Sequence, residues 1–396
     1  MALESGNPLN PLTYLFYDVM TGTLLAELPL ESVSFSKRVN APGTLAGGLN
    51  FLNPTVKALG PGALLQPGRT AVFVDWEGYL LWGGMLWTVN FARSTASAVP
   101  LGFREWGSYL AARMQAKDYS APAWPPNGDL AGDPVLIAKT IVQDALTSSG
   151  SALAAGTGFP LTITVNGGGT PNADWVAVTY PYTQLQTVDT IVGTLATMGY
   201  GVGFDYSFDV AYASPGVPGV TLNFWYPRQG RLASNDSVTI VTQEGQDYTY
   251  PQDATQQINT LYTTGASAGS AQLQTSLSNP NVLTQGWPLL EGSNSYSQVT
   301  SIDTLIQVAA GDLGVLSYPT TVPSVTIPMF GDPAPDEYAL GDDVRWVIEA
   351  DERFPDGLDW YWRTVAIDYM PKDEGLSLVK FSFNVPPSAS APRPPT

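Results

Sequence analysis

The opening segment of the chain alternates in the manner of a β-strand. Tyr14 and Phe16 fall on one face and Leu15, Tyr17 and Val19 on the other, because successive side chains of a strand point to opposite faces. Both faces are apolar, so both need cover from the rest of the molecule. A Thr-Gly turn and a second apolar segment follow, and the pattern predicts a buried β-hairpin.

Short strand patterns of this kind dominate two parts of the chain. They run from Thr13 to about Met114, separated by Gly and Pro turns, and they return near the end at 338–348, 361–370 and 376–385. Many short strands with kinking glycines are typical of a small barrel or closed sheet. Both parts are therefore predicted to be β modules of that kind.

Helical periodicity replaces this alternation between the two parts. Asp133 followed by Pro134 predicts a capped helix start, and a second helix is predicted at 185–198. Ser301 is the predicted cap of a third helix. The apolar stripe of that third helix is Ile302, Leu305, Ile306 and Ala309.

The order of these patterns predicts a mainly β protein with α+β insertions. The predicted domains are a first β-barrel module at 1–117, an α+β insert at 118–212, a second and discontinuous β-barrel module at 213–264 and 325–386, a second small insert at 265–324, and an extended Pro-rich tail at 387–396.

Composition removes most familiar enzyme chemistry. Cysteine and histidine are both absent, which excludes disulfides, thiolate metal sites, the Ser-His-Asp triad and His-ligated zinc. We therefore expect no enzymatic activity, no cofactor and no metal. There is neither a run of about 18 apolar residues nor a basic segment before an apolar one, so no transmembrane helix and no signal peptide are predicted.

The formal net charge of −18 is unevenly distributed. Residues 1–117 carry 8 Lys and Arg against 7 Asp and Glu, whereas the remainder carries 9 against 28. A strongly acidic body repels the phosphates of nucleic acids, so sequence-specific DNA binding is disfavoured. A DNA conduit is a different case, because a wall that repels phosphate lets the polymer slide.

A dense acidic stretch between residues 332 and 359 contains the remaining candidates for acid–base chemistry. Asp342, Asp343 and Glu349 belong to it. A glycosidase pair or a calcium site would need such carboxylates. The preferred interpretation is structural, because aspartate at turns bonds the local backbone. A third interpretation places these three side chains on the wall of a lumen.

Two further groups are candidates for contacts with other proteins. Lys37 and Arg38 belong to a basic set that either forms weak surface ion pairs or docks onto an acidic neighbour, and the sequence leaves both open. Trp360 and Trp362 share one face of a predicted strand. Since Trp is enriched at interfaces, this pair is the best candidate for an interface patch.

The opening motif D-x-x-TG-x-x-LAELPL…VSFSKRVNAPG resembles the start of actinobacteriophage minor tail proteins of the tail-hub kind. The likeness continues in GRTAVFVDWEGYLLWGGMLWTVNF and LGFREWGSYLAARM, and more weakly to the end of the folded chain. The resemblance implies two tube-type barrels per chain and a homotrimer that forms a pseudo-sixfold ring on the tail tube.

The same resemblance implies a place and a set of partners. The chain would be made in the host cytoplasm and would act in the virion, at the tail tip. It would contact the distal tail protein, the tape measure protein and other minor tail proteins. Genomic DNA would pass without specific binding, close to the host cell envelope.

Two other functions remain open at this point. One is a tail-associated protein that binds a receptor or cell-wall glycan, with carboxylate-based hydrolase activity that would depend on Asp342 or Glu349. The other, a secreted β-rich adhesin, is disfavoured by the missing signal peptide.

Overall fold

The computed structural model describes residues 11–91, 98–115, 117–121, 132–147, 161–166, 176–198, 203–234, 237–242, 247–268 and 271–384. The N-terminal unit contains the strands β1 (Leu12–Asp18), β2 (Leu24–Glu27), β3 (Leu30–Arg38), β4 (Thr44–Asn50), β5 (Thr70–Trp76), β6 (Tyr79–Val89) and β7 (Ala98–Glu105). Its helices are α1 (Pro54–Ala58), α2 (Pro61–Leu64) and α3 (Gly107–Leu110). All of its strand pairs are antiparallel, in the order β3-β4-β7-β6-β5-β1-β2.

The middle unit is a mixed α and β structure. Its elements are β8 (Tyr119–Ala121), α4 (Pro134–Thr147), β9 (Leu161–Asn166), β10 (Val178–Tyr180), α5 (Val188–Ala196), β11 (Asp205–Ser214) and β12 (Val217–Trp225). β11 and β12 form an antiparallel hairpin, and β9 pairs parallel with β12. β8 and β10 form a separate antiparallel pair.

The C-terminal unit returns to β structure around a small insert. Its elements are β13 (Thr239–Thr242), β14 (Tyr248–Thr249), β15 (Thr260–Ala268), β16 (Ala271–Ser278), α6 (Pro280–Thr284), β17 (Glu291–Ser295), α7 (Ile302–Leu316), β18 (Ser324–Pro328), β19 (Asp343–Ile348), β20 (Leu358–Met370) and β21 (Leu378–Asn384). β15, β16 and β17 form a three-stranded sheet, and α7 packs on β15 and β16.

One sheet of 13 strands joins the N-terminal and C-terminal units. β20 makes this connection, because its two halves have different neighbours on one side. Residues 358–363 pair with β19, and residues 366–369 pair with β3. The bulge between Thr364 and Ala366 lies where the partner changes. The sheet therefore continues from one unit into the other.

The prediction of two barrels is not confirmed. Among the described strands, no ladder closes either β unit into a barrel, and strands of both units belong to one open sheet. The mainly β character with helical insertions is confirmed. The N-terminal unit does curl, since β2 and β3 lie at opposite ends of its strand order yet are separated by only Leu28 and Pro29.

Two large hydrophobic clusters hold the units together. The first combines the middle unit with one face of the N-terminal sheet and with α7 of the C-terminal unit, and it contains Trp106, Ile141 and Leu305. The second lies between the two β units and contains Trp82, Trp346 and Trp362. Burial of such side chains is the dominant favourable contribution to folding. The first cluster draws on all three units and the second on both β units, so packing opposes their separation.

The predicted helices are confirmed with different bounds. α4 begins after Asp133, whose Oδ1 accepts the backbone N–H of Val135 at 2.8 Å. α5 is shorter than predicted, because Leu185 has a left-handed backbone and is 61% exposed. α7 packs with Leu305 and Ala309, whereas the two isoleucines of the predicted stripe are about 40% exposed.

Candidate site at the junction of the three units

Asp205 lies where the three units meet. Its carboxylate accepts hydrogen bonds from Asn40 Nδ2 at 3.2 Å, from the backbone N–H of Gln229 at 2.7 Å and from Arg363 Nη2. The Asp205 and Arg363 side chains are only 8% and 17% exposed. A buried carboxylate needs partners of this kind, since its desolvation is costly. The cluster therefore fixes the start of β11 against both β units.

Asn40 completes the connection on the N-terminal side. Its backbone is left-handed, with φ of 58°, a conformation that asparagine tolerates better than most residues. Its Oδ1 accepts the backbone N–H of Tyr206 at 2.8 Å, and its carbonyl accepts the Tyr206 hydroxyl at 2.8 Å. The turn after β3 is thus attached to β11 by both backbone and side chain.

Gly43 allows two strands of the N-terminal unit to approach closely. A Cβ atom at this position would lie 1.8 Å from the carbonyl oxygen of Ser36, which no side chain can accommodate. The Gly43 N–H donates to Glu105 Oε2 at 2.5 Å. Burial raises the pKa of Glu105 to about 8, although the Gly43 N–H and the positive charge of Lys37 act in the opposite direction. The Glu105 carboxyl is therefore protonated at neutral pH.

A cavity of about 460 Å³ opens beside this junction. All three units contribute to its wall. Lys37, Arg38, Tyr79 and Glu105 come from the N-terminal unit, Asp209 and Trp225 from the middle unit, and Gln229, Arg231, Tyr338, Asp342 and Tyr369 from the C-terminal unit. The wall thus mixes aromatic rings with charged and amide groups.

No protein-family model matches the sequence, and no curated protein sequence matches it. Solved structures do match. A prophage tail protein, gp18, from Listeria monocytogenes is 11% identical, with 93% of this chain and 94% of that chain covered and a TM-score of 0.54. A tail protein from Neisseria meningitidis is 10% identical, with 94% and 96% covered and a TM-score of 0.56. The 43 kDa tail protein of prophage MuSo2 from Shewanella oneidensis is 12% identical, with 95% and 98% covered and a TM-score of 0.56.

The chain has the fold of phage tail proteins. The match covers nearly the whole of each partner, so the tail-protein fold includes all three units and not one shared module. At 10–12% identity the likeness is one of architecture, and residue roles have to come from this chain itself.

Within this tail-protein fold, the predicted basic pair lies on the ladder between the β units. Lys37 pairs with Ile367 and Arg38 with Ala366 in the β3–β20 register. The Arg38 guanidinium forms an ion pair with Asp368 and donates to the Lys37 carbonyl at 3.0 Å. It therefore links the two β units within one chain. Docking of this pair onto a neighbouring protein stays a prediction.

The three predicted acidic residues occupy different environments. Asp342 is 3% exposed and accepts Arg231 Nε at 2.9 Å together with the Ala339 N–H at 3.0 Å. Asp343 accepts Arg228 Nη2 at 2.7 Å. Glu349 is exposed at the end of β19. Asp342 thus bonds both its own turn and the distant Arg231, whereas Asp343 joins the segment at Arg228 to the start of β19. Glu349 is the exposed member of the three.

The two predicted interface tryptophans also differ in their exposure to solvent. Trp362 is fully buried, with ring centroids 5.9 Å from Tyr250 and 6.1 Å from Trp346. Trp360 is 37% exposed near the end of β20, opposite Trp346. Both project from the same face of the strand, but the predicted patch reduces to Trp360.

The residues that hold the junction, Asp205, Asn40 and Arg363, were not among the predicted sites. Each is a single polar residue without a motif, so no local signal distinguishes it. Within the described ranges, no group of three or more acidic side chains is arranged to hold a metal ion. No helix in the described part of the chain combines the length and apolarity of a membrane span.

Proposed function

We propose that this chain is a structural protein of a phage tail and works by assembly. The observation that carries the proposal is the fold shared with three tail proteins over 93–95% of this chain and 94–98% of theirs. Likeness over whole chains favours a common architectural role more than a shared module would. The proposal includes no catalytic step.

We further propose that the protein forms the hub at the tail tip as a homotrimer. Each chain places two β units side by side in a single sheet. Three chains around an axis would present six β units, which would match a sixfold tail tube although the protein itself is threefold. The buried junction at Asp205 would keep the spacing of the two units constant in every chain.

The acidic charge fits a passage for DNA. With a net charge of −18, the assembled ring would repel phosphate, so DNA would pass without binding. The partners in this proposal are the distal tail protein, the tape measure protein and other minor tail proteins, with the host envelope close by.

Native mass spectrometry of the purified chain, with electron microscopy of the particles, tests the oligomer. The expected result is a trimer with a threefold ring and a central channel. Trp360→Glu should weaken that trimer if the exposed ring lies between chains. Tyr182→Glu, at an aromatic residue 47% exposed in the middle unit, is the matched control.

Placement in the virion needs a separate measurement. Labelled antibodies against this chain should decorate the tail tip of intact phage in negative-stain images.

A chain that stays monomeric at high concentration in the native mass measurement would contradict the trimer. Labelling along the tail shaft or at the head would contradict the tip.

A further inference from the structure

The cavity beside the junction has polar groups that the chain itself does not satisfy. Gln229 is only 5% exposed, and its Oε1 has no hydrogen-bond donor within the described part of the protein. Buried polar atoms normally have a partner, so an orphaned acceptor in a cavity wall is unusual. The half-buried Lys37 side chain likewise has no hydrogen bond or ion pair among the described residues.

Aromatic rings form the other part of the wall. Tyr79 is 48% exposed at the cavity, and Trp225 is half-buried, with its Nε1 donating to Ser207 Oγ at 3.1 Å. The indole is thereby held in place while part of its ring remains accessible. Rings of this kind provide flat apolar surface next to polar groups. The combination suits a ligand with both C–H faces and hydroxyls.

The charges around the cavity largely cancel. Arg38 is paired with Asp368, and Arg231 with Asp342. The raised pKa of Glu105 favours its neutral form, and of the groups that remain Lys37 is positive and Asp209 negative. Asp209 accepts Asn223 Nδ2 at 2.6 Å and Ser207 Oγ at 3.2 Å. A phosphate or other anion would meet this carboxylate, so a neutral ligand is favoured.

Size agrees with a small organic ligand. A volume of about 460 Å³ lies in the usual range of ligand pockets, roughly 300–1,000 Å³. We propose that this cavity is a binding site for a neutral mono- or disaccharide, which lies against Tyr79 and Trp225 and hydrogen-bonds to Gln229 and Lys37. This inference goes beyond the proposed tail role and does not depend on it.

Saturation-transfer NMR and calorimetry on the full chain test the site. The probes are glucose, maltose, N-acetylglucosamine and its β-1,4 disaccharide, with inorganic phosphate as the anionic comparison. We expect at least one sugar to bind with a dissociation constant of about 1 mM or tighter, and phosphate not to bind. Binding of phosphate alone, or of no sugar at about 10 mM, would overturn the proposal.

Gln229→Met separates binding from stability. It removes the orphaned acceptor and keeps the length of the side chain, so thermal stability should hold or rise. Affinity for the sugar should fall by about three- to tenfold, the effect of one lost neutral hydrogen bond. Gln274→Met, at an exposed position of β16, is the matched control and should leave the affinity unchanged.

Tyr79→Ala provides a second variant at an accessible position and should also weaken binding. Sugar binding that neither variant at the cavity alters would place the site elsewhere and refute the assignment. Because binding is measured on the isolated chain, a negative binding result would refute the sugar site without contradicting the proposed tail role. A chain that proves absent from tails would in turn leave the binding result standing.

Discussion

The ion pair between Asp205 and Arg363 should be the most costly one to break among the ion pairs described here. Asp205→Ala leaves the Arg363 guanidinium buried without its carboxylate and removes the acceptor of the Gln229 N–H and of Asn40 Nδ2. The two side chains are 8% and 17% exposed, so solvent replaces little of what is lost. Breaking a buried pair in this way costs about 3–5 kcal/mol.

The same loss of unfolding free energy can be expressed as a shift in melting temperature. Unfolding entropy of about 2.1 cal/mol/K per residue gives roughly 0.8 kcal/mol/K for a chain of 396 residues. A loss of about 3–5 kcal/mol then lowers Tm by roughly 4–6 °C. Differential scanning calorimetry measures this shift, and hydrogen exchange at the start of β11 should show where protection is lost.

The chain contains a suitable control. Arg345 and Asp359 form a bidentate pair with N–O distances of 2.9 and 2.6 Å, but their side chains are 42% and 52% exposed. Asp359→Ala should therefore leave Tm unchanged, since water and salt screen exposed pairs. If Asp205→Ala shifted Tm no more than Asp359→Ala, the junction would not depend on this pair.

A double-mutant cycle sharpens the argument. Asp205→Asn combined with Arg363→Met removes both buried charges and keeps an acceptor for the Gln229 N–H. The combined variant should lose less stability than the sum of the two single variants, because neither charge is then left without a partner. Losses that simply add would show that the two side chains act independently.

Three more predictions concern backbone fit, burial and protonation. Gly43→Ala should prevent soluble folding because of the 1.8 Å backbone clash, whereas Gly193→Ala in α5, with no atom within 4 Å of the new Cβ, should raise stability by about 0.5–1 kcal/mol in denaturant titrations. Trp362→Ala should cost about 3–5 kcal/mol and Trp360→Ala less than about 1 kcal/mol; equal costs in the same titrations would contradict their different burial. The raised pKa of Glu105 means that the folded chain binds the proton more tightly than the unfolded chain, so stability should fall as pH rises from 4.5 to about 8. The Tm of Glu105→Gln relative to the parent protein should therefore rise as pH increases across that window. A difference in Tm that stays constant with pH would refute the protonation argument.

Local patterns predicted the elements of this chain better than their partners. Alternation located the strands, and Asp133 followed by Pro134 correctly located the start of α4. The β3–β20 ladder was not predictable in this way, because strand register between segments some 330 residues apart leaves no trace in either segment alone.

At the candidate site, too, local patterns predicted features of single residues but not their partners. Alternation correctly assigned Trp360 and Trp362 to one face, but burial depends on position along β20, which the pattern does not contain. The charges of Arg38 and Asp342 were evident, whereas their partners Asp368 and Arg231 were not. Ion pairing is a property of the folded chain, so the sequence alone indicated which residues are charged but not which partners they bind.

The β3–β20 ladder also has a consequence for biosynthesis. Residues 30–38 leave the ribosome some 330 residues before their edge neighbour at 366–369. Until then, the β3 edge has exposed N–H and C=O groups open to strands of other nascent chains. Chains terminated before β20 should therefore aggregate more than chains that include it, because only the latter can cover the β3 edge.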